Sequence, residues 1–131
     1  MPLSVILHLS IMGLALGVTA VAVMTAKRKA DSLWMKKHRS RAITAGALAV
    51  SGVVVIAVFK TIKGFPHMKS PHAIGGMVTV IVILLALALG TLLLRGNQRL
   101  RLVHRFIGWV AVSMMCISAI FGVLRLMSLS G

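Results

Sequence analysis

The sequence predicts an all-α integral membrane protein folded as a four-helix, up-down bundle. Three observations carry that expectation. Four apolar runs each reach the roughly 20 residues that a helix needs to cross a bilayer. Only 12% of the 131 residues are charged, against a globular norm of roughly 25%. The cations also collect between the apolar runs rather than within them. With 59% apolar residues and a mean hydropathy of +1.02, a soluble domain of this size could not hide its apolar surface, because small domains leave much of their surface in water. A water-soluble enzyme and a disordered basic tail are both excluded. Asp31 is the single acid, which rules out chemistry by paired carboxylates. The lone Cys116 excludes an internal disulfide and a dithiol redox motif. Despite a pI of about 12.0, the positive charges are divided among separate loops and form no single patch, so no nucleic-acid partner is expected.

The elements follow in order. The first apolar run, Leu3 to Ala26, lacks a basic start and is too long for a signal peptide's apolar segment, so it reads as a helix over about 3–26. The second run, Arg41 to Phe59, continues a helix that begins near residue 33 (about 33–59). The third, Pro71 to Leu94, opens with Ser70 as N-cap and Pro71 as first helical residue. The fourth, Leu102 to Met127, belongs to a helix over about 101–127. Short connections imply antiparallel neighbours, and residues 1–131 are expected to form one transmembrane domain.

Orientation follows from cations near the helix ends. Eleven lie in loops one and three: Lys27, Arg28, Lys29, Lys36, Lys37, Arg39, Arg41, Arg95, Arg99, Arg101 and Arg105. Four lie on the other side: Lys60, Lys63, Lys69 and Arg125. The positive-inside rule then places loops one and three in the cytoplasm and both termini outside, in the plasma membrane of a prokaryote.

Four of the five histidines sit near the starts of the four spans, one per helix: His8, His38, His72 and His104. Alternating helix direction puts His8 and His72 at the outer level and His38 and His104 at the inner level. One histidine at an interface is commonly an amphipathic anchor. Four, matched in level and one per helix, suit two stacked cofactors, each gripped from both sides. Haem, whose iron takes two axial imidazoles, is the candidate. Without C-x-x-C-H the haems would be non-covalent, of b type. Zinc would want its four ligands together. His72-Ala-Ile-Gly-Gly76 and His104-Arg-Phe-Ile-Gly108 share H-x-x-x-G, which puts Gly76 and Gly108 one turn deeper on the ligand's face, where a porphyrin edge needs room. Gly13, Gly17, Gly46, Gly52 and Gly122 could do the same, or let helices approach closely. Gly90 is expected away from both histidine levels. Arg39, Arg41 and Arg105 are candidates to offset haem propionates on the inner side, Lys63 and Lys69 on the outer. His67, in the outer loop, is a candidate contact for a propionate or a reductant, or a solvated loop residue.

Four motifs together resemble the four-helix core of the cytochrome b561 family, especially the cores joined to DOMON domains: His8-Leu-Ser-Ile-Met12, Trp34-Met-Lys-Lys-His38-Arg39, Ser70-Pro-His72-Ala-Ile-Gly-Gly76 and His104-Arg-Phe-Ile-Gly108. The resemblance spans nearly the whole chain. It implies two b haems, ligand pairs from alternate helices, and electron transfer across the membrane. Family members commonly have six helices; this chain has the central four and no DOMON domain, and the family's ascorbate-binding basic residues do not align. The expected function is therefore a dihaem electron conduit with membrane lipid and a redox donor and acceptor (ascorbate, quinol or a redox protein) as partners, and a homodimer or larger membrane complex as assembly. Two alternatives are an oxidoreductase acting on quinol, ascorbate or ferric iron, and a cofactor-free four-helix exporter or assembly subunit.

Overall fold

The computed structural model describes residues 3–65 and 70–130, the side chains only as far as 128. Four helices fill it: α1 (Leu3–Arg28), α2 (Trp34–Ile62), α3 (Pro71–Leu94) and α4 (Arg101–Ser130), with one 3-10 turn at Gln98–Leu100 leading into α4. Even the shortest, α3 with 24 residues, spans about 36 Å at 1.5 Å per residue, enough for the roughly 30 Å of hydrocarbon. All four are long and apolar enough to cross a membrane, and among the described residues no strand occurs. The expected all-α membrane bundle is what forms.

Helix ends follow backbone chemistry more than hydropathy. Ser70 accepts a hydrogen bond from Ala73 N–H at 3.2 Å, and Pro71 occupies the first turn, so α3 begins where its cap dictates. The end expected at Phe59 is corrected to Ile62. The apolar run stops at Lys60, but the backbone stops only where Gly64 takes φ +67°. There Phe65 N–H reaches Lys60 O and Gly64 N–H reaches Thr61 O, the paired bonds of a Schellman turn. Gly96, at φ +99°, ends α3 in the same way through Asn97 N–H to Leu92 O and Gly96 N–H to Leu93 O. Likewise α1 runs two residues beyond Ala26, and α4 three beyond Met127, because neither meets a breaker. Between α1 and α2, Asp31 accepts from Leu33 N–H at 3.0 Å and pairs with Lys37. The hydrogen bond from Lys37 holds the Asp31 carboxyl below its usual range.

The chain packs as two hairpins. Helix α1 lies close along α2, and α3 along α4, while the seams α2–α3 and α1–α4 are more sparsely packed. Small side chains recur in the core beside Val80, Ile83 and Met115: Ala15, Ala45, Thr79 and Ala111 are all buried, each seven positions after its own helix's histidine. Large apolar residues such as Phe106, Trp109 and Ile81 point outward, as suits a bundle solvated by lipid, where close backbone approach replaces hydrophobic burial as the packing force. Thr79 is the polar member of those four. Its hydroxyl donates to Gly75 O at 2.7 Å and lies 3.1 Å from the Ser118 hydroxyl, so no polar group in this pair is left without a partner.

Two of the glycines named above serve packing. A Cβ at Gly46 would stand 2.6 Å from Leu87 Cδ1, and one at Gly52 would stand 2.7 Å from Met12 Sδ; at Gly13 and Gly17 it would meet nothing within 4 Å. Gly46→Leu should therefore cost about 1–3 kcal/mol through overpacking, and Gly17→Leu close to nothing. Thermal unfolding of the two variants in detergent, side by side, checks the difference.

Candidate functional site

The structure brings together the histidines that helix direction paired. His8 and His72 have ring centroids 6.3 Å apart with planes at 81°, and His38 and His104 are 6.2 Å apart at 79°. The pairs lie at opposite ends of the bundle, and each joins diagonal helices whose backbones do not pack against one another. Both members of each pair are half-buried.

Each ring is held by a main-chain carbonyl of the adjacent helix in its own hairpin. His8 Nδ1 lies 2.8 Å from Gly52 O and His38 Nδ1 2.9 Å from Ala22 O. In the second hairpin, His72 Nδ1 lies 3.0 Å from Ser118 O and His104 Nδ1 3.1 Å from Ala86 O. A carbonyl only accepts, so Nδ1 carries the proton in all four, and Nε2 is left with a free lone pair. The acceptors are regularly placed. From 8 to 22, 38 to 52, 72 to 86 and 104 to 118, each helix offers a carbonyl fourteen positions after its own histidine, always at a small residue. Fourteen positions is close to four turns, so ligand and acceptor share a face about 21 Å apart along the helix. Each helix thus supplies one imidazole and aims its neighbour's.

These residues fit a group that takes two imidazoles on one metal. Two imidazoles bonded at about 2.0 Å to a common metal have ring centres roughly 6.4 Å apart, close to both observed separations. A Cβ at Gly76 or Gly108 would meet nothing within 4 Å, as at Gly13 and Gly17. Among the described residues no three of His, Cys, Asp or Glu come together, so the donor set is two imidazoles at each end and not a four-ligand zinc centre.

The remaining candidates are placed unevenly. Arg39 lines an open groove of about 410 Å³ at the α2–α3 seam, together with His38, His104, Ala86, Gly90 and Thr91. Arg41 instead hydrogen-bonds Thr25 of α1. Arg105 is exposed on α4 and lines neither main groove, and Lys63 is exposed at the end of α2. Lys69 and His67 lie outside the described residues. A second groove, beside His72, is lined by Gly75 and not by Gly76.

Gly90 corrects an expectation. It lies eighteen positions from His72, far from that level but at the far end of an antiparallel helix, and so beside His104. A Cβ there would stand 3.2 Å from His104 Cε1. Gly122 has the same relation to His72, at 3.1 Å. Reading α3 in isolation missed this. The signal was a glycine one turn beyond Ala86 and Ser118, legible only once the acceptor positions are known.

A family model described as eukaryotic cytochrome b561 matches residues 9–129. The match takes in His38, His72 and His104 and begins one residue after His8. No curated protein and no solved structure gives a match.

The carbonyl bonds predict one tautomer before any cofactor is present. In ¹⁵N NMR spectra of the cofactor-free protein, recorded at a pH high enough for the imidazoles to be neutral, the Nδ1 of His8, His38, His72 and His104 should carry the proton and the Nε2 should have the shift of an unprotonated nitrogen.

Proposed function

This chain belongs to the cytochrome b561 family, and on that footing we propose that it carries electrons across the membrane on two b haems, His8 and His72 holding the outer one and His38 and His104 the inner. The family supports the general activity, haem-dependent electron transfer by a multi-pass membrane protein, and b-type haem as its cofactor. The number of haems and their ligands are our reading. The observation that carries it is the pairing of four imidazoles, two at each end of the bundle, each with Nε2 left open by a carbonyl on Nδ1.

Haem supplies one-electron chemistry at its iron; everything else falls to the chain. The four histidines would bind the iron, and the carbonyl partner of each anchors Nδ1, which raises the basicity of the coordinating nitrogen. Arg39, which lines the groove beside His38 and His104, would offset a propionate by a charge-assisted hydrogen bond. Arg105 and Lys69 remain weaker candidates for the same role, since neither groove includes Arg105. Gly76 and Gly108 leave room for the macrocycle edge. Ala15, Ala45, Thr79 and Ala111 are buried midway between the two ends and limit the entry of water there. Eleven of the fifteen cations lie in or next to the α1–α2 and α3–α4 turns, at the His38–His104 end, and that end faces the cytoplasm of a prokaryotic cell, with both termini outside. The donor and acceptor are ascorbate, a quinol or a redox protein. Family membership argues against the cofactor-free exporter.

Pyridine haemochrome and protein assays on fully loaded protein should give a ratio near two. His8→Ala and His72→Ala should each abolish the low-spin signal of one and the same haem, and His38→Ala and His104→Ala that of the other. Damage to a common haem by His72→Ala and His104→Ala would sink the assignment.

Overfilling the space beside the ligands gives a second test. Gly76→Leu should yield a folded protein lacking only the outer haem, and Gly108→Leu one lacking only the inner, while Gly17→Leu, on an open face, keeps both. Unchanged spectra in Gly76→Leu would show that the glycine is not beside the cofactor.

A further inference from the structure

We propose that Gly90 and Gly122 are positioning residues for the imidazoles of His104 and His72, and that they set the plane in which each ring presents its Nε2. The inference rests on the reading of those histidines as iron ligands, and it concerns a feature that ligand identity alone does not supply. A carbonyl bond to Nδ1 fixes one atom of the ring and leaves it free to pivot about that contact. The second restraint comes from the next turn of the same helix. Ala86 O accepts from His104, and Gly90, four positions on, lies against the ring itself. A Cβ at Gly90 would be 3.2 Å from Cε1, 3.7 Å from Nδ1 and 4.0 Å from Nε2. Ser118 O accepts from His72, and a Cβ at Gly122 would be 3.1 Å from Cε1, 3.5 Å from Nδ1 and 3.7 Å from Nε2. The ring therefore rests on bare backbone, and a single methyl would push it aside by a few tenths of an ångström.

The arrangement is confined to one hairpin. The equivalent positions of the first hairpin, eighteen after His8 and His38, hold Ala26 and Ile56. Each end of the bundle thus pairs one glycine-cradled ring, His72 or His104, with one that is not, His8 or His38. The orientation of an axial imidazole decides which iron orbitals it overlaps, so the tilt of the cradled ring tunes the electronic structure and potential of its own haem.

The test uses the full-length, haem-loaded protein carrying Gly122→Ala or Gly90→Ala, with Gly17→Ala as control, read by electron paramagnetic resonance of the oxidised haems and by redox titration. Gly122→Ala should shift the low-field signal and the midpoint potential of the haem that His72→Ala removes, leaving the other as in the parent. Gly90→Ala should do the same to the haem that His104→Ala removes, and Gly17→Ala should move neither. Selective loss of that one haem from a bundle of normal helicity is the stronger form of the same result. Parental signals and potentials for both haems in both variants overturn the proposal. So does failure of both variants to accumulate while Gly17→Ala accumulates, because the glycines would then serve helix packing. If His72→Ala keeps two low-spin haems, the ligand assignment fails instead, a result independent of the glycine variants.

Discussion

The hydrogen bond from imidazole Nδ1 to a neighbouring main-chain carbonyl organises this bundle. It settles the tautomer, leaves Nε2 to other partners and fixes the register of each hairpin, since a slide of one residue along the helix would carry the acceptor away by about 1.5 Å and turn it by roughly 100°. The bonds run only within hairpins, α1 with α2 and α3 with α4, whereas the imidazole pairs run only between hairpins. Orientation and pairing are thus handled by two orthogonal sets of contacts. The hairpins pack closely on their own; of the two open grooves, the one beside His38 and His104 lies at the sparser α2–α3 seam, and the one beside His72 lies between α3 and α4.

Small residues make the bonds reachable. A carbonyl inside a helix already accepts from the N–H four residues on and can take a second donor only if the side chains around it stand clear. Ala22, Gly52, Ala86 and Ser118 stand clear, as do the alanines one heptad earlier. The same smallness draws the helices together, in an environment where lipid tails give no hydrophobic reward for burial. Thr79 and Ser118 show how far the rule bends. A polar pair is tolerated in the core because each hydroxyl has a partner, and Ser118 serves both as side-chain partner to Thr79 and as main-chain acceptor for His72.

Much of this was legible in the sequence, for definite reasons. Apolar runs of membrane length, the Ser70–Pro71 start and the alternation of helix direction were enough to set out four spans and to pair His8 with His72 and His38 with His104. The helix ends were less legible, because hydropathy marks where lipid stops and Gly64 marks where the backbone turns. The acceptor carbonyls were not legible at all. Main-chain atoms leave no residue-type signature, and only the small side chains fourteen positions on hint at them. Gly90 was misplaced because depth was judged from its own histidine and not from the antiparallel neighbour. Of the cations, Arg39 came to the imidazoles, while Arg41 turned to Thr25.

Because all four acceptors are main-chain oxygens, no point substitution can delete one. A side-chain acceptor would be lost with a single base change; a carbonyl survives any replacement that keeps the helix and stays small. Descendants of such a bundle can drift widely across their lipid-facing surfaces, where one apolar side chain serves about as well as another, and still aim four imidazoles identically. Inheritance then needs to guard four histidines and a short set of size limits, and heredity of the geometry is largely uncoupled from heredity of the text.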